Sequence, residues 1–329
     1  MSEGDVLLER VRVGTRQWDH VFPIAMGDIS STAGRRVDLV RLDHTPDLWE
    51  ERNLTAGETS LSRYVRRRAA GDDSVIGLPI FLMRGFRHRC IIVRSDSEAH
   101  SLSDLNGARI GVTGWPDSGN TWTRALLVDA GVDLTAISWT VGRLTADHPD
   151  VDRLDGVVPR HDYEVRICST PMVELLNEGE LDAVFTPFMP PGFSDPGSGM
   201  RRLFDDVTGE EQRFLSTQGY IPGIHILAVR AEAAETDSAL PADLGRMFRE
   251  SEQLAAVRHR KLLDVTPWLN MAVELFDAAG VLDPNPVGLD ANAQMLSDFI
   301  GHMRYQGLVD DVPPLSELFP FDLTEAGLS

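Results

Sequence analysis

Four side chains suited to acid–base or anion-binding chemistry fall within one stretch, GETSLSRYVRRRAAGDDSVIGLPIFLMRGFRHRCIIVR (57–94): Glu58, Arg84, Arg87 and His88. The last three lie between two strongly apolar runs, so they belong at strand ends, where an α/β protein holds a small anionic ligand. A partly buried guanidinium demands a carboxylate, which its planar fork binds bidentately. That carboxylate can come from a ligand or from an internal ion pair, and for a single arginine the two stand at even odds. His88 alone is more often a structural histidine than a catalyst. Beside two arginines its pKa should fall, which favours the neutral form that relays protons. Glu58 and Ser60 precede a helix; spacing alone favours capping by Ser60 or Thr59, with hydrogen bonding to ligand hydroxyls as the alternative.

Two further segments carry polar groups out of pattern. The loop GWPDSGNTWTR (114–124) leads into a helix, and Ser118, Asn120 and Thr121 with backbone N–H groups would make an anion cradle there. It lacks the GK[ST] ending of a P-loop. Trp122 and Trp115 could wall a flat ligand, although core packing is the commoner use of tryptophan. His225 interrupts the apolar run YIPGIHILAV, where a lone histidine is usually a hydrogen-bonded core residue. No GxSxG elbow is present. His88, His225 and Glu58 could be assembled as metal ligands only by the fold, so no cofactor is expected and a divalent metal has no support from spacing.

Composition narrows the partners. The chain has 329 residues with 51 acidic against 31 basic side chains, a net charge of −20. That field repels nucleic acid and anionic membranes, which excludes both as main partners. An anionic substrate must be drawn by a local basic pocket, which gives Arg84 and Arg87 their interest. The Arg66–Arg68 triplet reads instead as a solvated helix face, since consecutive helical residues point in different directions. Cys90 and Cys168 sit in apolar contexts without CxxC spacing and are expected as free thiols. MSEGDVLLERVRVGT has neither a basic start nor an apolar run for a secretory signal, so a cytoplasmic location is expected. The composition leaves a homo-oligomer open.

The element pattern supplies the scaffold. Strands are expected at 11–15 and 36–42, and an amphipathic helix at 61–70. A short turn capped by Ser103 precedes the strand RIGV, a helix that ends at Gly131, and a strand at 137–142. Residues 143–164 read as a polar surface excursion. VRICS, a helix at 171–178 and the strand LDAVFTP follow, then the apolar strand GYIPGIHILAVR. Helices near 241–263, 267–279 and from Asp290 to a stop at Gly307 close the chain. Alternating strands and helices predict an α/β protein. The predicted organisation is a discontinuous first lobe (1–97 and 225–329) and an inserted second lobe (98–224), joined by crossover strands near 88–95 and 219–230, with a cleft between.

ETSLSRY (58–64), LPIFLMRGFRHRCIIV (78–93), SLSDLNGARIGV (101–112), ISWTVG (137–142), GIHILAVR (223–230) and LDANAQMLSDFIGHMRYQGL (289–308) resemble the 4,5-dihydroxyphthalate decarboxylase family in order and over nearly the whole length. The RxFRH block is the most specific. The resemblance implies a type II periplasmic-binding-protein fold and cofactor-independent decarboxylation of a hydroxylated aromatic acid. It implies that Arg84 and Arg87 hold carboxylates, that Glu58 and Ser60 engage catechol oxygens, and that proton transfer falls to His88 first and His225 second. The partner is then a small anionic aromatic substrate, and the alternative is a solute-binding module without chemistry.

Overall fold

A computed structural model describes residues 10–278, 283–321 and 323. Residues 1–9, on which the expected location rests, and Ala279, the last residue of the helix expected at 267–279, lie outside that range. In chain order the elements are β1 (Arg10–Arg16), α1 (Phe22–Ala25), β2 (Arg36–Leu42), β3 (Ala56–Ser60), α2 (Leu61–Ala69) and β4 (Val75–Arg84). Next come β5 (Ile91–Arg94), β6 (Arg109–Val112), α3 (Ser118–Asp129), β7 (Ser138–Gly142), β8 (Glu164–Cys168), α4 (Met172–Asn177) and β9 (Ala183–Phe185). The remainder is β10 (Met200–Arg202), α5 (Val207–Gln218), β11 (Gly223–Arg230), α6 (Ala231–Thr236), α7 (Leu240–Leu262), α8 (Leu269–Ala278), α9 (Leu289–Tyr305) and α10 (Leu315–Leu318).

The chain divides into two compact units, one of Met1–Arg84, Gly223–Leu296 and Val312–Ser329, the other of Gly85–Pro222 and Ser297–Asp311. These boundaries differ from the expected 97/98 and 224/225. The physical reason is strand pairing: β5 joins the second unit's sheet through β9 and β10, so residues 85–97 go with it. Ser297–Asp311 also belongs to the second unit, where Gln306 is fully buried and bonded to Arg124.

The first unit is built on a mixed sheet of order β2-β1-β3-β11-β4. β1 runs parallel to β2 and β3, and β11 is antiparallel to β3 and β4. β4 lies at the sheet edge, where the missing N–H of Pro79 costs no ladder bond. The β11–β4 pairing is irregular from Gly223 to Ala228, with register shifts on both sides of His225. Such shifts re-aim side chains and recur beside functional sites. The core joins Val11 and Val13 of β1, Leu78, Ile80 and Leu82 of β4, and Leu227 and Val229 of β11 to an apolar stripe of α7. That stripe, Leu240, Leu244, Met247 and Phe248, has the spacing of one helix face.

The second unit carries a sheet of order β10-β5-β9-β6-β7-β8. β9, β6, β7 and β8 run parallel, connected in part through α3 and α4, while β5 and β10 run antiparallel to their neighbours. Met172, Leu175 and Leu176 of α4 pack on Ile92, Leu181 and Val184. The turn before β6 is capped by Ser101 rather than Ser103: Ser101 and Asp104 form a reciprocal capping box. Cys90 is buried, Cys168 is half-buried, and both are free.

Leu244 is fully enclosed in the first core. Leu244→Ala should lower stability by about 2–5 kcal/mol through lost burial and a residual cavity. Urea unfolding checks this, with a lower midpoint and unchanged slope expected.

Candidate functional site

In the first unit the sheet brings Glu58 and His225 together across 167 positions of sequence. Glu58 lies on β3 opposite Leu227, and His225 lies opposite Ser60, so the two side chains are diagonal neighbours on one face of an antiparallel pair. Glu58 is fully buried. Its Oε1 meets His225 Nδ1 at 2.5 Å, while Oε2 accepts the Arg16 backbone N–H at 2.8 Å and Trp18 Nε1–H at 3.0 Å. Burial pushes the carboxyl pKa up, but the bond and charge of His225 with the two N–H donors outweigh it, leaving the group below its ordinary value. An ionised carboxylate only accepts hydrogen bonds, so His225 Nδ1 carries the hydrogen towards Glu58 and Nε2 is the nitrogen left to exchange a proton. This is the arrangement of a histidine oriented for proton transfer. Glu58 is therefore not an incidental residue before a helix. Ser60 does occupy the N-cap position of α2, but its hydroxyl makes no capping bond.

Arg84, at the end of β4, is satisfied within its own unit. Its Nε donates to Asn285 Oδ1 at 2.5 Å and its Nη2 to Asn292 Oδ1, and the guanidinium lies 4.2 Å from the Phe81 ring centroid. Burial lowers its pKa to about 10, against the opposing pull of Glu252 and Asp283. Neutral amide oxygens thus take the place that a substrate carboxylate was expected to fill, because the segment after α8 supplies two asparagines no local pattern announces.

In the second unit the FRHR turn separates its three basic groups. Arg87 is buried, donates from Nε to Thr123 Oγ1 (3.4 Å) and from Nη2 to the Thr186 carbonyl (3.1 Å), and pairs with no carboxylate among the described residues. The guanidinium lies against the first turn of α3 so closely that a Cβ on Gly119 would stand 3.0 Å from its Cζ and Nη2. A cation beside the positive end of a helix is doubly short of negative charge, so an anion bound there would satisfy both. Arg89 is spent on a bidentate pair with Glu211 of α5. His88 is buried between Phe204 and Phe214, with ring centroids 5.7 and 5.6 Å away, and its Nδ1 has no partner. Burial drives its pKa down to about 4, helped by Arg213 and Arg89 against Glu211. The expected fall is present, but desolvation leads it rather than Arg84 and Arg87. His88 is an aromatic-packed neutral ring.

The expected cradle is largely committed to its own helix. α3 begins at Ser118, so Ser118, Asn120 and Thr121 are first-turn residues and all are buried. Asn120 Nδ2 donates to the Gly114 carbonyl and Thr121 Oγ1 to the Asp117 carbonyl. Trp122 packs on Phe299, Tyr220 and His302, and Trp115 on Trp139 and Tyr163, so both are core residues rather than ligand walls. Trp18, Thr123 and Thr186 escape sequence reasoning because their roles depend on pairings made only by the fold. Among the described residues no three His, Cys, Asp or Glu side chains gather as a metal site, and no helix is long and apolar enough to cross a membrane.

The architecture is that of periplasmic binding proteins. The aliphatic sulphonate binding protein SsuA of Escherichia coli matches with a TM-score of 0.57 at 15% identity, over 94% of this chain and 97% of that one. The desulfurization enzyme DSZB matches with a TM-score of 0.53 at 14% identity, over 97% and 99%. By sequence the chain is similar to 4,5-dihydroxyphthalate decarboxylase. It is 28% identical to that of Comamonas testosteroni over 259 residues, 76% of each chain. It is 34% identical to that of Pseudomonas putida over 157 residues, 46% of this chain and 59% of the relative. No family model matches.

Two outcomes follow from the geometry. His88 binds its proton near pH 4 when folded and near 6.5 when unfolded, so the unfolded state holds more protons between those values and stability falls as pH drops through that window. The loss amounts to roughly 3 kcal/mol at most. His88→Phe should flatten that limb, read by urea unfolding from pH 7 to 4. Trp18→Phe removes one of the donors that hold Glu58 ionised. The Glu58 pKa should rise, followed by carboxyl ¹³C NMR titration; an unchanged titration would mean that the indole bond contributes nothing.

Proposed function

We propose that the protein is a cofactor-independent decarboxylase of a hydroxylated aromatic acid, with 4,5-dihydroxyphthalate as the representative substrate. One observation carries the reading: the buried Glu58–His225 pair. A binding module needs donors for its ligand, but gains nothing from a desolvated carboxylate that orients an imidazole. The similarity to two decarboxylases supports the reaction class, and Arg87 against the first turn of α3 supports an anionic substrate.

In such a substrate each carboxylate is para to a hydroxyl. A proton added to the ring carbon that bears the carboxylate, with loss of the para hydroxyl proton, gives a dienone. The carbon–carboxylate bond then breaks, its electron pair restores the aromatic ring and leaves the para oxygen as a phenolate that regains a proton, and CO2 leaves. The net change replaces a carboxylate by hydrogen and consumes one proton. His225 suits the proton transfer because Glu58 stabilises its imidazolium and fixes its tautomer. Within the second unit, Arg87 suits an anionic group through charge-assisted bonds. His88, buried among phenylalanines with its pKa near 4, holds the turn that presents Arg87.

CO2 release and ring-product formation from a panel of hydroxylated aromatic acids test the proposal. Glu58→Gln and His225→Asn should each lower kcat by roughly 10²–10⁴-fold. His88→Phe should retain turnover. Turnover unaffected by His225→Asn, or binding of the panel with no turnover at all, would overturn it.

A further inference from the structure

Arg16 is the last residue of β1, and the carboxyl ends of parallel strands are where an α/β sheet takes up a small ligand. Its backbone N–H donates to Glu58 Oε2 at 2.8 Å, so the residue stands directly against the Glu58–His225 pair. The Cζ of its guanidinium lies 5.3 Å from the centroid of the Trp18 ring, whose Nε1–H donates to the same oxygen. Backbone and indole thus hold the head group of Arg16 beside the site. Both residues are half-buried. The guanidinium itself is not among the donors to Glu58, and contact with an aromatic face consumes none of its N–H groups.

We infer that Arg16 binds the carboxylate that the aromatic substrate keeps, a role that rests on the decarboxylase reading of the Glu58–His225 pair. Electrostatics calls for a cation at this point. Glu58 is ionised and the chain carries a net charge of −20, so an aromatic acid nearing His225 meets like charge. A guanidinium held beside Glu58 offsets that repulsion, and its planar fork matches a carboxylate. Arg84 of the same unit suits the part less, because its Nε and Nη2 are directed to Asn285 and Asn292. The carboxylate that stays is the one to hold. An ion pair with the departing group weakens as neutral CO2 forms, which stabilises the ground state over the transition state and slows the reaction. A pair with the other carboxylate persists throughout and serves binding.

Calorimetric titration of the full-length protein with 3,4-dihydroxybenzoate and with catechol tests the assignment. The first compound is 4,5-dihydroxyphthalate less one carboxylate, and the second lacks both. Arg16→Met should weaken 3,4-dihydroxybenzoate binding roughly 10–100-fold and leave catechol binding unchanged. Arg16→Lys keeps the charge but loses the fork, so it should recover part of the loss, a rescue that a misfolded site does not give. Equal losses for both ligands would make Arg16 a mere support of Glu58 and overturn the inference. So would an Arg16→Met protein that binds 3,4-dihydroxybenzoate as the wild type does, or a wild type that does not bind it. CO2 release is followed separately. Turnover of 4,5-dihydroxyphthalate with binding indifferent to Arg16 sinks the inference alone, whereas carboxylate binding that depends on Arg16 without turnover sinks the reaction alone.

Discussion

A carboxylate with no solvent contact must find its hydrogen bonds inside the protein, and Glu58 sets that constraint for the first unit. Leaving water costs an ionised carboxyl several kcal/mol even after relaxation. Three donors answer the cost: His225 Nδ1, the Arg16 N–H and the Trp18 indole. They come from two distant parts of the chain, the end of β1 with the residues just after it and β11, and the β1–β3–β11 order brings them to one point. The irregular β11–β4 register around His225 belongs to the same arrangement, since regular pairing on the β3 side aligns His225 with Ser60 and leaves Glu58 diagonal to it.

The basic residues of FLMRGFRHRC show how partner supply assigns roles within one short segment. Arg89 is paired with Glu211, whereas Arg84 is hydrogen-bonded by two asparagine amide oxygens and Arg87 by a hydroxyl and a peptide carbonyl. A full carboxylate partner makes a guanidinium structural; partial satisfaction by neutral oxygens beside a helix start leaves charge to be met by a ligand. His88 sits in the same turn, but its phenylalanine neighbours withdraw it from proton chemistry near neutral pH.

Much of the scaffold was legible in the residues themselves. The strand at 36–42 coincides with β2, and apolar alternation with turn residues located most other elements. Long-range pairing was not legible. Nothing local tells that β5 turns away from β4 to join another sheet, so the lobe boundaries shifted from 97 to 84. Glu58 looked like a residue beside a cap because its partner is 167 positions away. His88 looked catalytic because its arginine neighbours are visible in sequence, whereas Phe204 and Phe214, which decide its charge, are not. Asn120, Thr121 and Trp122 have the types of a ligand cradle, but helix α3 starts earlier than expected and turns them to its own backbone and core.

The central claim is that Glu58 holds His225 in one tautomer with Nε2 available for a proton. Imidazole ¹⁵N NMR of His225 at neutral pH reports this directly. The account predicts hydrogen on Nδ1 of the neutral ring in the native chain, with that preference lost in Glu58→Gln. A dominant Nε2–H tautomer, or a spectrum that Glu58→Gln leaves unchanged, would contradict it.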